Sequence, residues 1–445
     1  MKTLMQRFIV LLCLLLSVPS ARADEALRLR QRTSINQIGP RLLASHLRHN
    51  GMANSMVSGP SLFYALSVLA LGADGASRNL LRSQLLSDPR AETSVADIAG
   101  PLAKQFSTAV TSGETGGSFR LSQGLWSTNG ANNSQPFLLK QEFVLAAQTH
   151  YGASHRVIDF EAAGAAQAIN SWAEQKTKGL IPSVIDDPTL AKLRWVILNT
   201  ALFEGGWGTA MQRVAPGGAY RFVTLDGRHQ AARSIRSARY SAQIVDLEDG
   251  SVAFQLPFAG GEYAFLVHVP AAGQKHIDRW LLEAAIPALP ETTQRMFSSN
   301  GARQPLIVQL PSFSFSDGVS MVAGSPIAAD LGLAPLFDRT VNLNRLSEQP
   351  SQVGLVRHHS RIELNENGVR AAAATLIGGI SRTSIGPVSP TRLIVVNRPF
   401  VFAIVARASQ TVLFNGVLVV PPPVPADLST PLPRQRQVCR SQARS

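Results

Sequence analysis

The segment at residues 362–383 constrains the fold of this 445-residue chain more than any other stretch. It begins as a strand, because apolar Ile362 and Leu364 alternate with polar residues. The chain then passes through Gly368 into four consecutive alanines at 371–374. Alanine buries too little apolar area to anchor a core strand, and the spacing offers no amphipathic helix face. The composition therefore predicts an exposed loop of small residues that can later enter a tightly packed place.

The overall composition is that of a globular protein with a large core. The hydrophobic fraction is 45%, the charged fraction is 16% and the mean hydropathy is +0.07. After residue 23, no stretch reaches the roughly 18 uninterrupted apolar residues of a membrane-spanning helix. The length fits one large domain or two or three smaller ones.

The first 23 residues have the pattern of a cleaved signal peptide. Lys2 and Arg7 form a basic start, residues 8–18 are mostly apolar, and Ala21-Arg22-Ala23 is a small-x-small cleavage site. We therefore expect a secreted or periplasmic protein without a membrane span. The form of the signal and the absence of disulfides are both compatible with a bacterial origin.

The charge balance and the cysteine count restrict partners and covalent links. Arginines outnumber lysines 35 to 7, and removal of the signal lowers the formal net charge from +13 to +10. A basic surface favours acidic partners such as polyanions, but no dense Lys/Arg run marks a specific polyanion site. Cys439 is the one cysteine left after maturation, so it cannot form an internal disulfide. We expect a monomer whose core stands without covalent links.

The order of predicted elements indicates an α+β fold, because helices come first and strands dominate afterwards. Periodicity predicts a strand, a proline turn and a buried helix within 56–72, and further helices at 24–48, 78–86, 98–110, 142–151, 166–178, 276–285 and 321–333. Strands are predicted at 119–127, 157–160, 195–203, 306–315, 353–364, 393–406 and 411–420, with several more between 220 and 269. Residues 421–445 are rich in Pro, Ser, Arg and Gln, which predicts a disordered tail.

Five segments in this order and spacing resemble those of the serpin family, over nearly all of residues 24–420. They are Ser58-Gly59-Pro60-Ser61-Leu62, Ala168-Ile169-Asn170-Ser171-Trp172, Leu198-Asn199-Thr200-Ala201-Leu202-Phe203 with Gly205 and Trp207, Glu363 to Gly368 with the alanine run, and Asn397-Arg398-Pro399-Phe400. The resemblance implies a serpin domain at 24–420. It also implies a large central mixed sheet, further sheets, about eight or nine helices and an exposed reactive loop at about 366–392.

The resemblance also implies a function, namely inhibition of proteases by a change of fold. The protease cuts the reactive loop and forms an acyl-enzyme, and the freed loop then inserts as a new strand into the large sheet. Counting as in the family places the scissile bond between Arg382 and Thr383, which suits a trypsin-like serine protease. A different register would expose Ile380 or Ser381 and change the target, and a cysteine protease is a further possible partner.

The family also implies roles for two groups of residues. The hinge comprises Glu366, Gly368, Val369, Arg370, Ala371, Ala372, Ala373, Ala374 and Thr375, and the sheet-opening cluster comprises Ser58, Ser61, Asn199, Trp207 and His358. In an inserted strand alternate residues point to opposite faces, so Val369 would face the core and Arg370 would face water.

Three residues near the hinge depart from the family pattern. Val369 and Arg370 stand where inhibitory members usually carry a hydroxyl residue and then an acidic one. Ser312 stands where the family often has a lysine that pairs with the hinge glutamate, so we expect Glu366 to lack that partner. These departures leave open a non-inhibitory member that acts as a carrier or binding protein.

An enzyme is the third class considered, and the sequence gives it little support. The chain has no G-x-S-x-G, S-x-x-K or H-E-x-x-H motif. The adjacent pair His358 and His359 is not expected to bind a metal, because neighbouring strand residues point to opposite faces. We expect no cofactor and no catalytic residues.

Overall fold

The computed structural model describes residues 29–30, 32–86, 116–130, 135–214, 220–298, 303–369 and 390–424. The predicted signal peptide, the helix at 98–110, the loop from Arg370 to Thr383 and the tail beyond 424 lie outside these ranges. Within the described residues, no helix is long and apolar enough to cross a membrane. The same residues contain nine helices and a large central mixed sheet, which confirms the predicted α+β class.

The helices are short apart from the first. Their bounds are residues 32–50 for α1, Gly59–Gly72 for α2, Gly75–Leu85 for α3, Gln141–Tyr151 for α4, Ala165–Lys176 for α5, Asp187–Leu190 for α6, Ile277–Trp280 for α7, Leu289–Phe297 for α8 and Pro326–Asp330 for α9. A π-helical turn at Leu281–Ala285 continues α7, and a 3₁₀ turn lies at Ala334–Phe337.

Eighteen strands are described, and they form three sheets. Their bounds are Ser55–Val57 (β1), Ser118–Thr128 (β2), Ser154–Ile158 (β3), Trp195–Gly206 (β4), Met211–Val214 (β5), Arg221–Val223 (β6), His229–Ala231 (β7), Ser234–Ser237 (β8), Tyr240–Asp246 (β9), Val252–Pro257 (β10), Tyr263–Val269 (β11), Arg303–Pro311 (β12), Phe313–Met321 (β13), Val356–Asn365 (β14), Gly368–Val369 (β15), Arg392–Val395 (β16), Phe400–Ala406 (β17) and Thr411–Leu418 (β18).

The central sheet has the strand order β13-β14-β15-β4-β2-β3. Strand β15 is antiparallel to both of its neighbours, β14 and β4, so those two long strands run parallel to each other. The β2–β3 pair is also parallel, whereas β13–β14 and β2–β4 are antiparallel. A second sheet orders ten strands, most of them from the second half of the chain, and β6–β7 is a separate ribbon.

Helix α2 lies behind the central sheet and is apolar on nearly all sides. Its N-terminus is fixed by Ser58, whose hydroxyl accepts a hydrogen bond from the backbone N–H of Ser61, with Pro60 in the first turn. Twelve of its fourteen residues are buried, and it packs against β4 and β18. A helix without a polar face belongs inside the protein, as the sequence predicted for this segment.

Helix α5 covers the opposite, outer face of the central sheet. Trp172 of α5 meets Trp126 of β2 edge to face, with ring centroids 5.2 Å apart. The rings approach β2 at Gly124, where an added Cβ would lie 2.2 Å from the Trp126 ring. Leu198 and Leu202 of β4 are buried in the same apolar cluster. Helix α5 and this cluster therefore cover part of the outer face of the sheet.

The structure corrects two predicted boundaries and adds one helix. The predicted helix at 321–333 is only Pro326–Asp330, because β13 continues to Met321 and Pro326 can start a helix but not lie inside one. Helix α8 was not predicted. The first residues of the supposed tail are ordered, since Pro423 forms a β-bridge with Ala232.

Truncating Trp172 tests how strongly α5 is held on the sheet. The substitution Trp172→Ala leaves a cavity beside Trp126, so it should lower the free energy of unfolding by about 3–5 kcal/mol in urea titrations. Leu138→Ala is the matched control, because Leu138 is 69% exposed and should change little. Equal effects of the two substitutions would contradict this packing.

Candidate functional site

The site is a slot in the central sheet between the parallel strands β4 and β14. Gly368 pairs with Gly206 on one side and Asn365 on the other, and Val369 pairs with Gly205 and Leu364. The pairing of β4 and β14 with β15 stops after these two residues, and no other described strand pairs with their facing edges. The hinge therefore already occupies the top of a position that could hold a complete strand.

Gly368 has to be glycine for two independent reasons. Its φ is +145°, a conformation that residues with a Cβ rarely adopt. An added Cβ would also lie 2.1 Å from the carbonyl oxygen of Gly205. The chain can turn into the slot here only because neither Gly368 nor Gly205 carries a side chain.

Trp207 closes the top of the slot. Its indole N–H donates to the carbonyl of Asn365 over 2.8 Å, which ties the end of β4 to the end of β14. Its ring stacks on Phe258 at 5.1 Å and is 5% exposed. Trp207 follows the last residue of β4 and lies eight residues after Asn199, roughly 26 Å for an extended strand, so the two occupy opposite ends of the slot.

Glu366 at the hinge turn has a cationic partner, but from a different strand than the family pattern suggests. Its carboxylate pairs with the guanidinium of Arg213 in β5, not with a side chain at Ser312. Partial burial works to raise the pKa of Glu366, but its own backbone N–H and Arg213 outweigh that effect and hold the pKa below its usual value. Glu366 therefore lacks the usual partner at position 312 but pairs with Arg213 instead.

Below the hinge the slot opens into a cavity of about 630 Å³. It is lined by the lower halves of β4 and β14 and by α2, including Ser61, Asn199 and His358. Directly under Val369 the gap is narrower, with Phe203, Ile362, Met56 and Phe414 around it. Only a small side chain fits at that level.

Three of the predicted cluster residues meet at the start of α2. The backbone N–H of Ser58 donates to Nε2 of His358 over 3.0 Å, and the Ser58 hydroxyl donates to the carbonyl of Leu413 over 2.8 Å. Ser61 completes the group through its hydrogen bond to Ser58. All three residues are buried, so the contacts join α2, β14 and β18 in the interior.

Burial keeps His358 neutral. Desolvation lowers its pKa from 6.5 to about 4, helped by neighbouring His359 and His46 and opposed by Asp317. The neutral ring is required, because Nε2 accepts the N–H of Ser58 and a protonated nitrogen could not.

Asn199 faces the same cavity from β4, and Gln123 lies beside it. The amide of Asn199 donates to the carbonyl of Ser122 over 3.3 Å, while its oxygen has no partner in the described structure. Gln123, opposite Asn199 in β2, is 5% exposed, and neither of its amide atoms has a described partner. Sequence reasoning missed Gln123, although it stands in phase with the core-facing Phe119 and Leu125.

The remaining predicted site residues are not described. Arg370, Ala371 to Ala374, Thr375, Arg382 and Thr383 lie in the range 370–389. No group of three or more His, Cys, Asp or Glu residues able to hold a metal was found in the parts of the chain that are described.

Comparisons with known proteins identify the family to which this fold belongs. The family model described as "Serpin (serine protease inhibitor)" matches residues 33–421. The chain belongs to the serpin family. Members of this family are inhibitors rather than enzymes. The family match confirms the resemblance found in the sequence.

Relatives match the serpin along most of its length. Serpin-Z2A of Triticum aestivum is 29% identical over 396 residues, which cover 85% of this chain and 94% of the relative. The structure of native protease nexin-1 with heparin has a TM-score of 0.70 at 19% identity, covering 88% of this chain and 100% of that one. Thyroxine-binding globulin with thyroxine gives 0.70 at 18% identity, covering 87% and 98%. At these identities the two structures show the shared fold alone.

Acid should destabilise the protein through His358. Its folded pKa of about 4 lies below the ordinary 6.5, so the unfolded chain binds the proton first. This contribution is complete above about pH 6.5, and roughly 3 kcal/mol of it is lost as the pH falls to about 4. Urea titrations from pH 7.5 to 4 should show that His358→Gln flattens the curve, while exposed His229→Gln does not. Parallel curves for wild type and His358→Gln would exclude this assignment.

Gly368→Ala should expel Val369 from the slot. Hydrogen exchange of residues 364–369, followed by mass spectrometry, should quicken by about 10-fold, since the strain amounts to about 1–3 kcal/mol. Gly227→Ala is the matched control, with a φ of +77° but nothing within 4 Å of the added Cβ. If residues 364–369 kept wild-type protection, the close approach to Gly205 would not control the hinge.

Proposed function

We propose that this serpin is an exported inhibitor that traps trypsin-like serine proteases as acyl-enzymes by inserting its reactive loop into the central sheet. The observation that carries the proposal is the position of Gly368–Val369 between two parallel strands whose facing edges are otherwise unpaired among the described residues. Once the loop is cut, residues after Val369 can continue the same strand downward.

Extending the register of β15 tests whether the loop suits the slot. Each further residue moves one position down both β4 and β14, so Ala371 falls between Phe203 and Ile362, where the gap is narrow. The alanine run thus has a reason in the structure, since larger side chains would clash with the lining residues.

The same register would bring Thr375 to Asn199 and His358 of the sheet-opening cluster. In this register Thr375 falls opposite Asn199 on β4 and His358 on β14. It is an even number of residues after Val369, so its side chain would point to the same face of the sheet, toward the core. A threonine hydroxyl can donate to the Asn199 oxygen, which has no described partner before insertion. Insertion would therefore give the side-chain oxygen of Asn199 a hydrogen-bond donor.

The energy available from insertion is large on the scale of protein stability. About 14 residues of new strand, each adding roughly 1 kcal/mol net in ladder hydrogen bonds, supply about 10–15 kcal/mol. That is comparable to the free energy of unfolding of a whole domain. Displacing a catalytic group by about 1 Å can slow a reaction about 100-fold, so the strained acyl-enzyme would stall.

Trypsin mixed with the serpin should form a complex that survives SDS. Arg382→Ala should abolish this complex and reduce the inhibition rate by more than about 100-fold, because the specificity pocket loses its cation. Arg392→Ala is the matched control, since Arg392 lies at the far end of the predicted loop, at the start of β16, where it donates two hydrogen bonds to Asp246. Unchanged inhibition by the Arg382 variant would rule out the scissile bond Arg382–Thr383.

A carrier function is the second candidate, favoured by the cavity of about 630 Å³, which lies in the size range of small-molecule sites. Thyroxine-binding globulin, which shares the fold, has been solved with a small molecule bound. Trypsin separates the two functions. Clean cleavage without an SDS-stable complex and without a gain in thermal stability would support the carrier.

A further inference from the structure

The cavity of about 630 Å³ below the hinge has an apolar wall that no side chain fills. Leu62, Leu66 and Leu69 line it from one face of α2, and Ile197 of β4 adds to the same lining. Ala65 lies between the leucines and is not buried, although α2 runs through the interior of the protein. The cavity therefore opens an apolar surface to solvent in the middle of the core.

The end of the cavity away from the hinge carries positive charge. Four cations line the cavity, namely Lys192, Arg194, Arg339 and Arg357, and no Asp or Glu is found among its described lining residues. Lys192 and Arg194 precede β4, and Arg357 is the second residue of β14, so these three lie at the end opposite Gly368. Lys192, Arg194 and Arg339 are exposed, so the cavity opens to solvent on this side.

One acid acts on this charge from outside the cavity. Asp186 interacts electrostatically with Lys192 and Arg357. It is exposed, and its carboxylate accepts the backbone N–H of Thr189 over 2.8 Å, so its attraction for the two cations is screened by water. Arg357 is held in place instead by the carbonyl of Val184, to which its guanidinium donates over 3.1 Å. The lining therefore keeps a net positive charge.

Ser351 adds a hydrogen-bond donor to the same lining. Its hydroxyl oxygen is buried and has no partner in the described structure. Buried polar groups are nearly always hydrogen-bonded, so this hydroxyl is an exception that a ligand would satisfy. A hydroxyl donates readily to an anionic oxygen, as the neighbouring cations do.

We propose that this cavity binds an anionic amphiphile, a linear carboxylate of the fatty-acid class. The carboxylate lies at the charged end, with Ser351 and Arg357, and the chain lies along the leucines of α2. An apolar lining with a few polar groups that fix one end is the usual form of a small-molecule site. Such binding goes beyond the inhibitory function and gives the carrier candidate a chemical class of ligand.

Isothermal titration of the uncut full chain tests the choice of ligand. Dodecanoate, used below the concentration at which it aggregates, should bind at least about 10-fold more tightly than dodecyltrimethylammonium, which has the same chain and the opposite charge. Added salt should weaken the binding of dodecanoate, because the exposed cations are screened. Absence of dodecanoate binding, or equal affinity for the two probes, would overturn the proposal.

Filling the cavity tests the location. Ala65→Phe places a ring beside the leucines of α2 and should weaken dodecanoate binding by at least about 10-fold. Ala146→Phe is the matched control, because Ala146 is also a partly exposed helical alanine but lies on α4, outside the lining. Wild-type affinity in a folded Ala65→Phe variant would overturn the proposal.

Neutralising the exposed cations gives a test that does not disturb the core. The double variant Lys192→Gln with Arg339→Gln should weaken dodecanoate binding by about 3- to 10-fold at low salt. Arg221→Gln with Arg239→Gln removes the same charge from exposed positions outside the lining and should leave the affinity unchanged. Equal effects of the two double variants would overturn the proposal, also where Ala65→Phe does not fold. No protease is present, so these results are independent of the outcome with trypsin.

Discussion

The structure depends on two long parallel strands that are joined through only two residues of a third. Backbone groups along a strand edge need partners, and the facing edges of β4 and β14 have them only at Gly368–Val369 among the described residues. The facing edges of these two strands are therefore paired at the top of the slot and unpaired below it in the described residues. Helices α2 and α5 cover the two faces of the sheet and shield these unpaired edges from strands of other molecules. Under the proposed function, the chain that follows Val369 is the nearest segment that can pair with them.

Glycines form the upper end of the slot, and polar side chains form its lower end. At the top, a Cβ added to Gly368 would lie 2.1 Å from the carbonyl oxygen of Gly205, and the indole of Trp207 bonds the carbonyl of Asn365. At the bottom, His358 is held neutral by burial and engaged with Ser58, which ties β14 to the start of α2. The polar groups at the lower end are only partly satisfied, because the Asn199 oxygen and the Gln123 amide have no partner among the described residues.

The sequence signal for the hinge is local. The strand alternation, the glycine and the alanine run all lie within residues 362–374, so their order alone defines a strand followed by small residues. Arg213 could not be found this way, since its partner Glu366 is 153 positions away in the chain and only the fold brings them together. Gln123 carried a usable signal, its core-facing phase in β2, but a single polar residue in a strand is common at surfaces. The helix predicted over 321–333 failed because apolar periodicity there belongs to a strand end, a short helix and a turn.

Under the proposed function, insertion has to be specific as well as favourable. Ladder hydrogen bonds are independent of sequence, so they would accept any strand of suitable length. The lower end of the slot offers a more selective contact, because the side-chain oxygen of Asn199 has no partner among the described residues and calls for a donor from an incoming strand. A strand shifted by one residue would turn its donor to the opposite face of the sheet, so the contact that favours the correct register disfavours a shifted one.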